Sequence, residues 1–186
     1  REGQVPDFQS GTQLMREFWR NRYKELAKAN INPDEADTAI DALVDYMEQT
    51  GKLSAPASLI ENRQKVTHEL HTLDVLRTHG SQVMFSHQSY LDFRIADRLL
   101  RAIHKGTGRV KDWLGPKEKQ SLFRREQLRQ VLFMLSDESP DDFLENVKEL
   151  LESKDVRFHL KHLVLEVVAQ IQKPKRSLFG YLLRLK

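Results

Sequence analysis

The sequence predicts a mainly all-α protein, on the strength of three observations. Of its 186 residues, 39% are hydrophobic and 31% are charged, with only 8 glycines and 6 prolines, a composition typical of folded helical domains. Long stretches place apolar residues three and four positions apart, which is the period of an amphipathic helix. One short β-prone run, Val83, Met84 and Phe85, interrupts these stretches. A chain of this length buries one large core or two small ones.

Composition also excludes several classes of protein. The chain has no cysteine, so it carries neither a disulfide framework nor a cysteine metal site. No apolar run approaches the roughly 20 residues that a membrane span requires, and the N-terminus lacks a signal-peptide pattern. We therefore expect a cytoplasmic protein without a membrane partner. Because the sequence begins at Arg1 rather than at a methionine, we interpret it as a fragment of a longer protein.

The first two predicted elements are helices. An apolar pattern of helical period runs from Ser10 to Asn30. Asn32 followed by Pro33 marks the next start, since asparagine caps a helix and proline suits its first turn. Gly51 is a helix terminator at the other end. The apolar face of this second helix comprises Ala36, Ala39, Ile40, Leu43, Val44 and Met47.

The following elements predict a winged-helix-like unit with a short β-hairpin. Residues 52–56 form a short extended piece, because the residue before Pro56 is pushed away from helix. A third helix is predicted from Arg63 to Thr78, and Gly80 separates it from the strand at residues 83–85. A fourth helix, capped by the Ser86 hydroxyl, continues to residue 104.

The second half of the chain contains an internal repeat. The main domain boundary is predicted at a glycine-rich break at residues 105–108 or at Gly115-Pro116, and the first position gives predicted domains at 1–108 and 109–186. Each copy of the repeat precedes a helix that begins near a proline, Pro140 in one copy and Pro174 in the other. We predict stacked HEAT-like helical hairpins, since one hairpin cannot bury its apolar face alone. Residues Arg125, Leu128, Val131, Leu132 and Leu135 recur 32 positions later as Arg157, Leu160, Leu163, Val164 and Val167.

Charge is unevenly distributed although its total is modest. The net charge is +3 and the pI is about 9.1. Residues 94–129 are basic and residues 141–155 acidic, and we interpret these blocks as solvated helix faces or contacts to other parts of a larger protein. A basic stripe on the fourth helix, separate from its apolar face, comprises Arg94, Arg98, Arg101 and Lys105.

No catalytic or metal-binding signature is present. His68 and His71 are three residues apart, whereas a zinc-protease helix places two histidines four apart. His159, His162 and Glu166 share a helix face that could hold a metal, but packing and solvation explain them, so we predict no metal site. The chain has no glycine-rich Walker loop and no Gly-x-Ser-x-Gly. We therefore predict that this chain is not itself an enzyme.

His87 is the predicted site residue. It lies where the strand meets the fourth helix, and the first turn of a helix favours an anion because its N–H groups are free and its dipole end is positive. A phosphate is the leading candidate ligand. The alternative is that His87 only closes the turn.

The segment around His87 resembles a known motif. Phe85, His87, Asp92, Phe93 and Ala96 match Phe-x-His-x-x-x-x-(Asp/Glu)-(Phe/Tyr)-x-x-Ala, a pattern at the winged-helix region of NACHT and related STAND NTPases. The flanking helices are similar to the arm and the HEAT-type repeats of that family. The resemblance implies that His87 touches the β-phosphate of bound ADP and holds the inactive state.

The family's P-loop and Walker-B strand have no counterpart in this sequence. The resemblance therefore implies that ATP or ADP binds in the longer protein and that the fragment itself holds no cofactor. It implies as partners an upstream nucleotide-binding domain and further helical repeats of the same chain. A protein partner or a sensor ligand is a further expected partner.

Two functions remain open. One is a non-catalytic regulatory fragment of a STAND signalling NTPase, in which the winged-helix unit senses nucleotide and the repeats relay its state. The other is a DNA-binding winged-helix transcriptional regulator with a helical oligomerisation tail. A DNA-reading helix should be basic, whereas the third helix mixes Lys65, His68 and Arg77 with Glu69 and Asp74. This favours the first function, and specific DNA binding is not expected.

Overall fold

The computed structural model describes residues 11–171 and 176–184. Within these residues the protein is mainly all-α, with one small antiparallel sheet, which confirms the predicted fold class. The chain divides into two compact units after residue 94, inside a helix. The predicted domains at residues 1–108 and 109–186 remain a prediction. None of the helices in the described ranges is both long enough and apolar enough to cross a membrane.

The first unit has the winged-helix-like order of elements. Its sheet is antiparallel with strand order β1-β3-β2, so that Val83 pairs with Ala55 on one side and Thr78 on the other. The elements are α1 (Gly11–Lys28), α2 (Pro33–Thr50), β1 (Ala55–Pro56), 3-10 turns at Ala57–Leu59 and Glu61–Arg63, α3 (Gln64–Thr72), β2 (Leu76–His79), β3 (Gln82–Phe85) and the start of α4 (Gln88–His104).

Helix α2 forms as predicted. The Asn32 side chain accepts a hydrogen bond of 2.9 Å from the backbone N–H of Asp34, which satisfies one free donor of the first turn. Gly51 ends the helix at φ 66°, a conformation that glycine adopts without the steric cost of a Cβ. All six residues of the predicted apolar face are buried.

The third predicted helix was too long. Helix α3 ends at Thr72, and Asp74 follows in the left-handed region at φ 55°. The segment from Leu76 is strand β2, whose first residue pairs with Phe85. Leucines at positions 70, 73 and 76 imitate a helical period. The pairing of β2 with β3 depends on residues from another segment and overrides that local pattern.

Helix α4 differs from its prediction in two ways. It begins at Gln88, so Ser86 lies outside it, and the Ser86 backbone N–H donates to the carbonyl of Val75 at 2.9 Å. The basic block that includes Arg94 was interpreted as a solvated helix face or a contact to other parts of a larger protein, but Arg94 is buried within the first unit. Its guanidinium has acidic and phenolic partners on α1 and α2, which compensate the loss of water.

The second unit contains the predicted helical hairpins. Its elements are the end of α4, α5 (Val110–Leu114), a 3-10 turn at Lys117–Lys119, α6 (Leu122–Glu138), α7 (Pro140–Glu152), α8 (Phe158–Gln170) and α9 (Arg176–Leu182). Helices α6, α7 and α8 pack against one another. The four apolar positions of each repeat copy are buried, and Pro140 begins α7 as predicted. Pro174 lies outside the described residues.

A buried glutamine joins two loops of this unit. Gln120 is 1% exposed. Its Nε2 donates to the carbonyl of Gly115 at 2.9 Å and to that of Asp155 at 2.8 Å, while its Oε1 accepts from the N–H of Arg157 at 2.8 Å. Both side-chain donors and the acceptor are therefore used, as a buried amide requires.

Candidate functional site

His87 lies in the turn between β3 and α4, immediately before the first residue of the helix. Its side chain is exposed. The turn is held by backbone hydrogen bonds on both sides: Ser86 N–H donates to Val75 at 2.9 Å, and Tyr90 N–H donates to the His87 carbonyl at 3.0 Å. The imidazole therefore stands on a fixed backbone and is open to solvent.

Aromatic rings support His87 from one side. Its ring meets Tyr90 edge to face, with centroids 5.1 Å apart. Tyr90 in turn stacks on Phe18 of α1 at 4.3 Å, and the Arg22 guanidinium lies 4.8 Å from the Phe18 centroid. Such ring and cation contacts contribute about 0.5–1.5 kcal/mol each beyond area burial. They restrict the imidazole while leaving it exposed.

Arginines from two other elements add positive charge near this turn. Burial raises the pKa of the Tyr90 hydroxyl, while the charges of Arg22 on α1 and Arg77 on β2 act in the opposite direction. The backbone N–H groups of the first turn of α4 add the positive end of a helix dipole. The surroundings of His87 therefore favour an anion.

One carboxylate lies in the same region. The Ser86 hydroxyl, followed by the Arg77 guanidinium, lowers the pKa of the Asp74 carboxyl below its usual range, and the charge of His87 has the same direction. Arg77 Nε and Nη2 each lie 3.3 Å from Asp74 Oδ1. The side chains of Asp74 and Arg77 are 57% and 59% exposed, so their pairing is weak. An incoming phosphate would compete with Asp74 for Arg77.

The chemistry of this donor set fits a phosphate. An imidazole and two guanidiniums are the side chains that bind phosphate oxygens through charge-assisted hydrogen bonds. Such a donor set could bind and orient an anion.

Sequence reasoning found His87 but missed its neighbours. Tyr90 contacts the His87 ring, Arg22 contacts Phe18, on which Tyr90 stacks, and Asp74 pairs with Arg77 at the start of the β2–β3 hairpin. The β2–β3 hairpin would have indicated Arg77 and Asp74, but the sequence pattern assigned both residues to a third helix that was too long. The remaining residues of the family-like pattern are buried: Phe85, Asp92, Phe93 and Ala96. The role of His87 toward a nucleotide stays a prediction.

The histidines on α8 do not form a recognisable metal site. His162 Nδ1 lies 2.9 Å from Glu166 Oε1, and His159 Nε2 is buried without a hydrogen-bond partner within the described residues. Across residues 11–171 and 176–184, no group of three or more histidine, aspartate or glutamate side chains is arranged to hold a metal ion.

A separate cleft of about 560 Å³ opens in the first unit between α3, the 3-10 turns and the hairpin. His71 lies in it, with Nδ1 2.9 Å from the Leu76 carbonyl and Nε2 3.0 Å from the Thr78 hydroxyl. Because a carbonyl only accepts, Nδ1 carries the proton that is donated to Leu76. Among the described lining residues there is no lysine or arginine, so this cleft is a poorer phosphate site than the turn at His87.

Comparisons of the chain with protein families, with curated proteins and with solved structures gave no match. The class of protein is thus defined by the fold alone. It is a mainly all-α protein in which a winged-helix-like unit precedes helical hairpins. Its function has to be argued from the turn at His87 and from the surfaces around it.

Proposed function

We propose that this chain is a non-catalytic regulatory fragment of a NACHT-like STAND signalling NTPase. In this proposal the winged-helix-like unit senses bound nucleotide through His87, and the helical hairpins relay the nucleotide state to a sensor or protein partner. The observation that supports it is the exposed His87 imidazole, which packs on the Tyr90 ring immediately before the first turn of α4.

The proposed contact is a hydrogen bond from the His87 imidazole to a phosphate oxygen of ADP. A hydrogen bond to a charged oxygen contributes about 1.5–3 kcal/mol. If the contact forms only in the closed state, losing about 2 kcal/mol raises the open population on the order of thirtyfold. His87 would thus bias a switch and add little to the fold, because its side chain is exposed.

Nucleotide hydrolysis belongs, in this proposal, to an upstream domain of the longer protein. Phosphoryl transfer needs a loop that cradles the phosphates and a magnesium site. We expect the 186-residue chain alone to bind ADP weakly and to release no phosphate from ATP. ATP turnover by the purified chain above a buffer blank would contradict this part of the proposal. We further propose that the protein acts in the cytoplasm.

The competing function is specific DNA binding through α3. Its exposed side chains include Gln64, Lys65, His68 and Thr72, which are polar enough to contact DNA, but Lys65 Nζ already donates to the carbonyl of Asn30 at 3.2 Å. With one lysine engaged in this way, we propose that α3 reads no DNA sequence. A salt-titrated binding assay tests this: a strong preference for one duplex over random duplexes would favour the DNA-binding function.

The decisive experiment compares His87→Ala with Gln88→Ala in the longer protein that contains this chain. Gln88 is the matched control, because it is the exposed neighbour at the first position of α4. We expect His87→Ala to weaken ADP binding about tenfold or more and to raise basal activity, with Gln88→Ala near the parent protein. Thermal melting should be unchanged for Gln88→Ala and should fall by no more than a few degrees for His87→Ala, which loses only its ring contact with Tyr90. Unchanged ADP affinity together with a lower melting temperature for His87→Ala would show that the histidine only closes the turn.

A further inference from the structure

Arg94 is a buried charge whose Nη1 and Nη2 have hydrogen-bond partners, whereas its Nε has none within the described residues. Its side chain is 8% exposed. Nη2 donates to Asp37 Oδ1 at 2.8 Å and to Asp41 Oδ1 at 3.1 Å, and Nη1 donates to the Tyr23 hydroxyl at 3.0 Å. The guanidinium also lies 5.3 Å from the centroid of the Trp19 ring. A charge is tolerated here because hydrogen bonds replace the water that it loses.

These partners come from two different helices. Asp37 and Asp41 are one turn apart on α2, so their carboxylates face Arg94 together. Tyr23 belongs to α1, and its hydroxyl donates to Asp37. Burial raises the pKa of Tyr23, and Arg94 only partly opposes this, so the phenol stays neutral and remains a donor. One side chain of α4 therefore binds α1 and α2 at once.

The same face of α4 leads from Arg94 to His87. Tyr90 lies one turn before Arg94, where it stacks on Phe18 at 4.3 Å and meets Trp19 at 6.2 Å. His87 precedes it and packs on the Tyr90 ring at 5.1 Å. Trp19 thus contacts both the guanidinium of Arg94 and the ring that supports His87. His87, Tyr90 and Arg94 follow one another at intervals of three and four positions, so they lie along one face. The rotation of α4 about its axis therefore sets both the contacts of Arg94 and the contact between Tyr90 and His87.

We propose that Arg94 is the positioning residue of the site at His87. By fixing the first two turns of α4 against α1 and α2, it sets the orientation of the His87 imidazole and of the free N–H groups beside it. For nucleotide sensing this inference rests on the proposed function. For the orientation of His87 it stands on the contacts alone. Arg94 lies at an unspecified position of the family-like pattern, so the resemblance does not imply this role.

Lysine is an instructive replacement for Arg94. A lysine keeps the charge and a stem of similar length, but it is a single ammonium without the planar fork that reaches two carboxylates and a hydroxyl at once. Arg94→Lys should therefore leave the fold largely in place while loosening α4. Arg101→Lys is the matched control, because Arg101 lies on the same helix, is 57% exposed and forms an ion pair with Asp97, one turn before it.

The direct test is NMR of the imidazole resonances in the 186-residue chain. The His87 resonance reports its distance from the Tyr90 ring, and His71, held by the Leu76 carbonyl, serves as an internal reference. We expect Arg94→Lys and Arg94→Met to shift the His87 resonance and leave His71 in place, at a temperature at which helix content is retained. Arg101→Lys should move neither. An unmoved His87 resonance in a folded but less stable Arg94→Lys protein would overturn the inference.

ADP affinity in the longer protein provides the second readout. If Arg94 acts through the site at His87, Arg94→Lys should weaken ADP binding several-fold, and the double variant with His87→Ala should lose less affinity than the two single effects added together. Full additivity of the two effects would contradict a positioning role. If His87→Ala itself leaves ADP binding unchanged, the proposed function fails, while the NMR result still decides whether Arg94 positions His87.

Discussion

Two arginine–carboxylate clusters, one in each unit, differ in how buried their arginines are. In the first unit, Arg94 is 8% exposed and binds two aspartates of α2. In the second unit, Arg125 and Arg129 of α6 are 27% and 26% exposed and share Glu166 of α8 at 3.1 and 3.3 Å. Similar distances therefore occur in different surroundings. Because water screens a charge pair, the distances alone do not rank the two clusters by energy.

The number of elements that each arginine joins is a second difference. Arg94 of α4 also contacts Tyr23 and Trp19 of α1, so its substitution affects contacts among three helices. Arg125 and Arg129 divide their hydrogen bonds between Glu166 and Glu126, which belongs to their own helix. Either arginine alone retains half of that network. The comparison predicts that substitution of Arg94 lowers the free energy of unfolding strongly and that substitution of Arg129 lowers it little.

The largest expected effect is that of Arg94→Met on stability. Methionine keeps most of the apolar stem but leaves Asp37 and Asp41 without their cation. Removing one partner of a buried pair costs about 3–5 kcal/mol, and we expect about 3 kcal/mol because both aspartates are 43% exposed. Urea unfolding of the 186-residue chain measures it. A loss no larger than that of Arg129→Met would contradict the ranking by burial.

Gln120→Ala tests how much a buried but uncharged side chain stabilises the protein through its hydrogen bonds. Gln120 is as buried as Arg94 but neutral, and its removal leaves the carbonyls of Gly115 and Asp155 and the N–H of Arg157 without their partner. Unpaired buried groups cost about 1–3 kcal/mol, so we expect about 2 kcal/mol by urea unfolding. The exposed Gln170→Ala on α8 is the control and should be near neutral. If Gln120→Ala is also neutral, hydrogen bonding without charge does not stabilise that loop pair.

The sequence allowed the helices and much of the core to be predicted. The cap at Asn32, the terminator at Gly51 and the repeat on α6 and α8 are local signals, and the structure confirms them. Strand β2 was missed because its pairing with β3 is not visible in its own residues. The burial of Arg94 was missed for a similar reason. Its neutralising partners lie 53 to 71 positions away in the chain.

Alkaline pH should reduce the contribution of the Tyr23 phenol to the stability of the protein. Burial raises the pKa of Tyr23 above its ordinary value of about 10. As the pH rises, the unfolded chain therefore loses this proton before the folded protein does. The contribution of Tyr23 to the free energy of unfolding is complete below about pH 10 and declines as the pH rises further. Tyr23→Phe should lower the free energy of unfolding by about 1 kcal/mol at neutral pH. Above about pH 10 the free energy of unfolding of this variant should decline less steeply than that of the parent protein. Urea unfolding across this range, with Tyr46→Phe as the control, measures the difference. Parallel curves for the Tyr23→Phe and parent proteins would contradict it.

The smallest expected effect concerns the exposed cluster of the second unit. Arg129→Met leaves Arg125 to bind both Glu126 and Glu166, so we expect a loss below about 1 kcal/mol. A double-mutant cycle of Arg129→Met with Glu166→Gln should give a coupling of about 0.5 kcal/mol that shrinks as salt rises, because the Debye length falls from about 10 Å at 0.1 M to about 3 Å at 1 M. The matching cycle of Arg94→Met with Asp37→Asn should give a larger coupling that changes little with salt, since buried pairs are screened less. Equal salt dependence in the two cycles would mean that water reaches Arg94, and burial would then not be what separates the clusters.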